Sequence, residues 1–473
     1  MIPLLEILNE IKNDQQQSIN WKEYTSKYPM IKAGVDALQK LEQHGKAYIV
    51  GGAVRDIISG DKVPDDIDIA TDVDMDKIEQ MFKAYDIGKN KQFGIVVIKH
   101  MGYDFEIAQF REDGKYFDGR RPASIRVGVD FQTDAGRRDF TINAMGVDSE
   151  GKVVDYFSGQ KDIQNKVLRT VGDPEKRFQE DYLRMLRAVR FATRMGYKID
   201  PSVTKAIKQH SSKISKVSSE RATKELMKMA EQSGSQFAKA IRILIDTGLM
   251  QYILPEIVEM DEYEHSVATH PEGNVLQHTL AALEKSKSKD PIINLAILLH
   301  DIGKIRTQGY EGGKVKYIGH AEKGAEMIDD LAERLKLDNK IKSTLKFVLA
   351  NHMKVHKFLD MSKSKVAKII DDNDWDVLYN VSYADKASRG HLFRSQEWDE
   401  LVDHVERLTK EIKDQRGMTT IRKVVNGNWV MELKGIKPGP QLGEYIKATV
   451  DWIIDNNIDV NDTEKIAEYV KSL

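Results

Sequence analysis

The chain has 473 residues, enough for about three domains at roughly 150 residues each and for several buried cores, which excludes a small stapled peptide. It has no cysteine, so a disulfide framework, a thiolate metal site and a cysteine nucleophile are all excluded, and a reducing compartment fits. With 72 basic and 74 acidic side chains the net charge is −2, yet residues 166–228 carry 16 Lys and Arg against 7 Asp and Glu, an excess of +9.

Residues 1–45 read as a polar, helical extension with Trp21, Tyr24 and Tyr28 as its sizeable anchors. The start, MIPLLEILNEIKND, sets acids inside what would be a signal peptide's apolar centre, and no window approaches the roughly 20 apolar residues of a membrane span. A soluble, cytoplasmic protein is expected. From Ala47 short apolar runs (AYIV, IDIAT, GIVVI, FEIAQF) alternate with Gly, Asp and Lys, the pattern of strands among short helices, over 46–170. After VGDP the sequence turns helical. A helix is expected over 178–195, with Leu183, Leu186, Val189 and Ala192 as its apolar stripe. The expected division is 1–45, 46–170, 171–265, 266–410 and 411–473, an α+β head followed by all-α parts.

Within the head, AYIVGGAVRDIISGDKVPDDIDIAT reads as strand, Gly51-Gly52 turn, short helix with Arg55 and Asp56, then a second strand with Asp66 and Asp68. Adjacent glycines let a backbone approach a phosphate at a helix N-terminus. Side chains two apart on a strand share a face, so Asp66 and Asp68 together suit a hard cation such as Mg²⁺. Glu106, between Phe105 and Ile107, is a third candidate carboxylate, and FREDGKYFDGRRP is too charged to be core. In GRRDFTINAM, Arg137 and Arg138 suit phosphate oxygens, while Asp139 and Asn143 suit a ribose hydroxyl.

On the expected helix 178–195, Asp181 and Arg184 are three apart and face the same way, with Arg187 and Arg190 continuing the row. A carboxylate accepts and a guanidinium donates, so the pair matches the Watson–Crick edge of cytosine or adenine and mismatches guanine and uracil. An ordinary surface ion pair has the same spacing.

The ordered set GGAVRD, D-x-D, RRDFTINA, DYFSGQKDIQNKVLRTVGDP, RFQEDYLRMLRAVRF and SSERATKEL resembles the class II tRNA nucleotidyltransferase and poly(A) polymerase family over residues 47–230. The resemblance implies a polymerase-β-like head with a helical neck and body. It implies Mg²⁺ at Asp66 and Asp68 and nucleotide contacts from Gly52, Arg55 and Arg138. It further implies base reading by Asp181 and Arg184, triphosphate or primer contacts from Arg187 and Arg190, and an RNA acceptor end along the basic neck.

Farther on, seven of the twelve histidines (265, 270, 278, 300, 320, 352 and 356) fall within 92 residues. Helices are expected over 274–286, with His278, and 291–302, ending in His300-Asp301; His320, His352 and Asp385 follow. Imidazole and carboxylate suit Mg²⁺, Mn²⁺, Ni²⁺ or Fe²⁺. The H…HD…H…H…D order resembles HD-type metal-dependent phosphohydrolases over 270–390, implying His278, His300, Asp301 and Asp385 as principal ligands and His320 and His352 at a second metal or substrate position.

Together these point to an enzyme using CTP and ATP to add CCA to tRNA, with a phosphatase, 2′-nucleotidase or 2′,3′-cyclic phosphodiesterase in its HD domain. An adenosine-only polymerase, and a hydrolase whose first module merely binds RNA, are the alternatives.

Overall fold

The computed structural model describes residues 18–60, 62–85, 94–114, 124–265, 273–414 and 417–473. Residues 1–17 of the expected extension, most of the FREDGKYFDGRRP loop (115–122) and His270 lie outside them. The chain divides into two compact units, residues 1–225 with 242–253 and residues 226–241 with 254–473. Among the described residues no helix is long and apolar enough to cross a membrane.

The first unit is built on a seven-stranded sheet of order β3-β4-β5-β2-β1-β8-β9. Its strands are β1 (Ala47–Val50), β2 (Asp68–Thr71), β3 (Lys83–Tyr85), β4 (Ile95–His100), β5 (Tyr103–Gln109), β8 (Met145–Val147) and β9 (Val153–Asp155), with β6 (Arg111–Asp113) and β7 (Ile125–Val127) forming a separate hairpin. β2 runs antiparallel to β1 and parallel to β5, in a register that sets Val50, Asp68 and Glu106 abreast. The apolar partners Ile49, Ile69 and Ile107 are all buried. Phe131 packs against Tyr48 and Phe110 with ring centroids 4.7 and 5.5 Å apart, closing the core around Val50, Ala70 and Ala144.

Three details differ from the sequence reading. Residues 29–42 form helix α1 (Pro29–Glu42), which buries Ile31, Val35, Leu38 and Leu41 in addition to the anchor Trp21, itself buried. It packs on the sheet: a Cβ on Gly34 meets Ile67 at 2.8 Å and Phe105 at 3.3 Å. Spacings of three and four hide this stripe among Lys, Asp and Gln. Second, β2 starts at Asp68, so Asp66 lies just before the strand rather than on it; the alternation still holds, with Ile67 and Ile69 buried and Asp66 and Asp68 exposed. Third, the helix expected over 178–195 is two helices, α3 (Pro174–Glu180) and α4 (Leu183–Met195), with Asp181 between them in an extended conformation (φ −151°, ψ 106°). Its carboxylate accepts from the Leu183 backbone N–H at 3.0 Å, a local bond that competes with a continuous helix.

After α4 come β11 (Lys198–Ile199), parallel to β10 (Val167–Leu168), and α5 (Ser219–Ala230). The second unit is helical. Its site-bearing helices are α6 (Val275–Lys285), α7 (Pro291–Leu299), α8 (His320–Leu335), α9 (Asn339–Val355) and α10 (Trp375–Ser388). The exception to its helical reading is a hairpin of β12 (Gly309–Glu311) and β13 (Lys314–Lys316).

Truncating Phe131 to Ala removes the ring that joins Tyr48 to Phe110. The expected loss is about 3 kcal/mol, measured as a lowered urea midpoint with loss of hydrogen-exchange protection in β1 and β8; an unchanged midpoint places the core elsewhere.

Candidate functional site

A cavity of about 740 Å³ opens over one side of the head sheet, and every head candidate lines it: Gly51, Gly52, Arg55, Asp66, Asp68, Glu106, Arg138, Asp139, Asn143, Asp181, Arg184, Arg187 and Arg190. β1 ends at Val50, and Gly51 turns the chain at φ +69° into helix α2 (Gly52–Ser59). That backbone region favours glycine, and the space is used: a Cβ on Gly51 lies 3.5 Å from the Arg138 guanidinium and 4.0 Å from the Asp68 carboxylate.

The carboxylates crowd one another. Protein walls strip water from the Asp68 carboxyl, and the charges of Asp66 and then Glu106 add to this, pushing it up to about 6 against the pull of Arg138. A hard cation relieves that crowding, so the donor set fits Mg²⁺.

Facing them is a network of guanidinium groups. Arg55 donates to Asp56 at 2.8 Å and to the Asn143 side-chain oxygen at 2.7 Å; Asn143 donates to Asp139 at 3.1 Å; and Arg187 donates to Asp139 at 2.8 Å. Arg190 donates to Glu225 of α5 at 2.6 Å. Burial opposes the charge on Asp139, but Arg187, Asn143 and Arg184 outweigh it and hold the carboxyl at about 2. The guanidinium carbons of Arg55, Arg187 and Arg190 lie 5.1, 5.2 and 4.2 Å from the centroid of Phe191. The negative ring face favours cations there. Arg138 donates to Asp134 at 3.2 Å, while its buried Nε–H has no hydrogen-bond partner among the described residues.

Among the described residues the Asp181 carboxylate and the Arg184 guanidinium bond other partners, while the Arg184 backbone N–H donates to the Asp181 carbonyl at 3.0 Å. Asp181 accepts from Arg221 at 2.7 Å. Arg184 bonds Glu180 and donates to the backbone carbonyls of Arg177 and Arg137, both at 3.0 Å. Both residues still face the cavity.

In the second unit the six candidates form two buried groups, His278 with His300 and Asp385, and Asp301 with His320 and His352. Asp301 joins them: its carboxylate lies 3.4 Å from His278 Nε2, 3.2 Å from His300 Nε2, 3.4 Å from His320 Nε2 and 3.8 Å from His352 Nε2. The Nδ1 atoms point away. His300, His320 and His352 each bond the carbonyl three residues earlier, on Ile297, Tyr317 and Leu349, at 2.8, 2.7 and 2.7 Å. His278 Nδ1 lies 3.1 Å from the Ser388 hydroxyl. Such outer bonds fix the tautomer with Nε2 turned inward. Burial, then His300, lowers His352 to about 3, so its imidazole is neutral. Burial opposes the charges on Asp301 and Asp385, yet His300 with Lys304, and His278 with His356, hold both well below the usual carboxylate range. The Nε2 atoms of His320 and His352 are buried without hydrogen-bond partners among the described residues. Buried imidazoles, ionised carboxylates and the inward nitrogens of His320 and His352 fit one or two divalent cations.

Sequence reasoning missed several neighbours. Lys304 donates to Asp301 at 2.6 Å, a spacing of three legible in HDIGK. His356 Nε2 lies 2.8 Å from Asp385, four residues after His352. Phe191 and Glu225 carry no such signal, since one reads as helix core and the other as surface.

The Poly A polymerase head domain family matches residues 47–169, the probable RNA and SrmB-binding site of polymerase A matches 196–260, and the HD domain matches 267–376. A CCA-adding enzyme of Geobacillus sp. (strain WCH70) is 42% identical over 229 residues, 48% of this chain and 55% of that protein. One from Bacillus subtilis (strain 168) is 40% identical over 264 residues, 55% of this chain and 63% of that protein. The chain thus spans somewhat over half the length of these relatives. The crystal structure of the Bacillus stearothermophilus CCA-adding enzyme in complex with CTP superposes with a TM-score of 0.72 at 24% identity, over 94% of this chain and 97% of that one, which establishes the shared fold.

Two outcomes follow from this geometry. Asp139→Asn is expected to cost about 2–3 kcal/mol at pH 7, the worth of a carboxyl lowered from about 4 to about 2. Since a depressed carboxyl stabilises only above its unfolded pKa, the gap between wild type and variant narrows as pH falls from 4 towards 2; a gap that persists unchanged in acid refutes the pairing. Ni²⁺ is expected to raise the melting temperature, and His300→Ala with Asp301→Asn to erase that rise; a rise retained in the variant removes the metal from this cluster.

Proposed function

We propose that this chain, which carries a poly A polymerase head, an RNA-binding segment and an HD domain, is a tRNA nucleotidyltransferase that adds C, C and A without a nucleic-acid template and has a second, phosphohydrolase site. The observation that supports this best is a single cavity lined by carboxylates, arginines and the Asp181 and Arg184 side chains. The relatives named CCA-adding enzymes favour CCA over adenosine alone. We take 46–170 as the head, 171–265 as neck and body and 266–410 as the HD domain, in a cytoplasmic protein.

In the head, Asp66 and Asp68, with Glu106 beside Asp68, hold Mg²⁺, which when bound supplies charge neutralisation and hydroxyl activation for in-line phosphoryl transfer. Gly51 and Gly52 leave room for the triphosphate of CTP or ATP. Arg55, Arg138, Arg187 and Arg190 offer donors to its oxygens, Arg138 through a buried N–H that has no hydrogen-bond partner among the described residues. Asp139 and Asn143, expected at a ribose hydroxyl, bond Arg187 and Arg55, so we assign them to aiming those guanidiniums. Asp181 has lone pairs left beyond its bonds to Arg221 and Leu183, and these accept the amino group of cytosine or adenine, while Arg184 donates to the adjacent ring nitrogen or carbonyl. Guanine and uracil place a carbonyl against Asp181, leaving both groups unpaired. The basic stretch 166–228 binds the tRNA acceptor stem by shape and backbone, because a duplex RNA groove displays little sequence.

In the HD domain, His278, His300, Asp301 and Asp385 hold one divalent cation, with His320 and His352 at the neighbouring position. Bound there, the metal supplies Lewis-acid polarisation of a phosphoester and a nucleophile at neutral pH. The outer carbonyls and Ser388 keep the imidazoles oriented for it, and burial favours the neutral form of His320 and His352. Removing a terminal phosphate from RNA leaves the 3′ hydroxyl that the head extends.

The test is extension of tRNA transcripts ending at the discriminator base, at C and at CC, with CTP, ATP or both. Completion of all three to CCA is expected; adenosine alone on the CC-ended transcript refutes CCA specificity, and no addition refutes the transferase. Asp66→Asn is expected to lower addition by about 10³-fold and to leave phosphohydrolysis within twofold, with His300→Ala doing the reverse. Joint loss of both activities in folded variants excludes two independent sites.

A further inference from the structure

Helix α10 carries a cation beside the metal-ligating cluster that the hydrolase reading leaves without a role. The helix ends at Ser388, and Arg389 follows as its C-cap, one turn beyond Asp385. The Arg389 Nη2 lies 3.7 Å from Asp385 Oδ1, close enough for an ion pair yet beyond the roughly 2.7–3.2 Å of a hydrogen bond. Its Nε–H is buried and has no hydrogen-bond partner among the described residues. Nε and Nη2 form one edge of the planar guanidinium, so the edge beside Asp385 has two donors in place and no acceptor bonded to them.

The other cation at the cluster is placed differently. Lys304 is buried and donates to Asp301 at 2.6 Å, so its charge already has a bonded partner. Asp385, by contrast, is held without Arg389: His356 Nε2 lies 2.8 Å from its Oδ2 and His278 Nε2 lies 3.1 Å from its Oδ1. Arg389 also reaches outward, since its side chain is 31% exposed against 4% for Asp385. The guanidinium therefore bridges solvent and cluster, with the buried, unbonded edge on the cluster side. A tetrahedral anion offers two adjacent oxygens to such an edge, and the charge-assisted, two-point contact suits arginine and not lysine.

We propose that Arg389 is the phosphate clamp of the HD site: its Nε–H and Nη2–H donate to two oxygens of a phosphoryl group held at the cluster, next to Asp385. This rests on the hydrolase reading above and adds to it a residue that touches the reacting group, whatever the rest of the substrate is. The competing role is structural, with Arg389 a distant counter-charge that steadies Asp385. The two differ in what they support: the clamp serves the anion, and the counter-charge serves the metal.

The test uses the full chain loaded with Ni²⁺ and titrates inorganic phosphate by calorimetry, with His300→Ala run alongside to identify the part of the isotherm that belongs to the cluster. Arg389→Gln is expected to weaken that phosphate binding about tenfold, the order expected for losing hydrogen bonds to a charged group, while Ni²⁺ affinity stays within twofold. Arg389→Lys keeps the charge and loses the fork, so it recovers only part of the loss. Arg394 is 78% exposed and lies near Glu397 at 3.4 Å, and Arg394→Gln leaves phosphate binding within twofold. Unchanged phosphate affinity in Arg389→Gln, or no phosphate binding at the cluster of the wild type, overturns the proposal. A fall in Ni²⁺ affinity that accounts for the weaker phosphate binding overturns it too, in favour of the structural role. Full recovery by Arg389→Lys leaves a point charge and refutes the two-point contact. Wild-type protein that binds phosphate at the cluster but hydrolyses neither p-nitrophenyl phosphate nor its bis ester overturns the hydrolase reading, and the isotherms still decide the clamp.

Discussion

The buried carboxylate of Asp139 is the tie on which the head cavity depends. A charge taken out of water alone costs several kcal/mol, so it has to bring its partner with it. Asp139 does so twice over, accepting from Arg187 of α4 and from Asn143 beside β8, while its backbone carbonyl takes the Val171 N–H. One residue thus fastens the sheet side of the cavity to the arginine-bearing helix. Asn143 passes the constraint to Arg55, and Glu225 does the same for Arg190. Guanidiniums that repel one another are kept together because each has an acceptor elsewhere and three share the face of Phe191.

The metal-ligating cluster solves a different electrostatic problem by local means. Three of its histidines bond the carbonyl three residues back, so each ring is oriented by its own turn of chain rather than by a distant partner. The long-range element is Asp301, whose two oxygens face both ligand groups. Two ionised carboxylates, Asp301 and Asp385, put negative charge in a buried space, which a divalent cation balances. In the head the order is reversed: carboxylates crowd at one side of an open cavity and cations dominate the other, the distribution that a metal-chelated polyphosphate complements.

Much of both sites was legible because the chemistry sits in short, ordered motifs. Gly51, Asp68, Arg138 and Asp181 are spread along the head and neck at turns and element ends that their own residue types announce. What was not legible follows from geometry that spacing does not encode. Helical periodicity over 178–195 fits one helix and fits two equally well, and the break at Asp181 is decided by a side-chain bond to the Leu183 N–H. The stripe Ile31, Val35, Leu38 and Leu41 was masked by charged neighbours, so a helix of the head core read as an appendage. Lys304 and Phe191 look like a solvated cation and a core ring until the fold shows which carboxylate and which guanidiniums they meet.

The two proposed activities also constrain each other chemically. A transferase needs a free 3′ hydroxyl, and a 2′,3′-cyclic or 3′-linked phosphate at that end removes the nucleophile, so hydrolysis has to precede addition on such ends. The reverse conflict does not arise. A finished CCA end carries a plain diol with no terminal phosphoester, and its internal diesters have chain on both sides. His278, His300, Asp301, His352 and Asp385 are all nearly inaccessible to solvent, so the cluster admits a chain end more readily than a continuous strand. On the proposed reading the hydrolase thus acts on the defective end and spares the product, and the selectivity comes from burial rather than from recognition of the added bases.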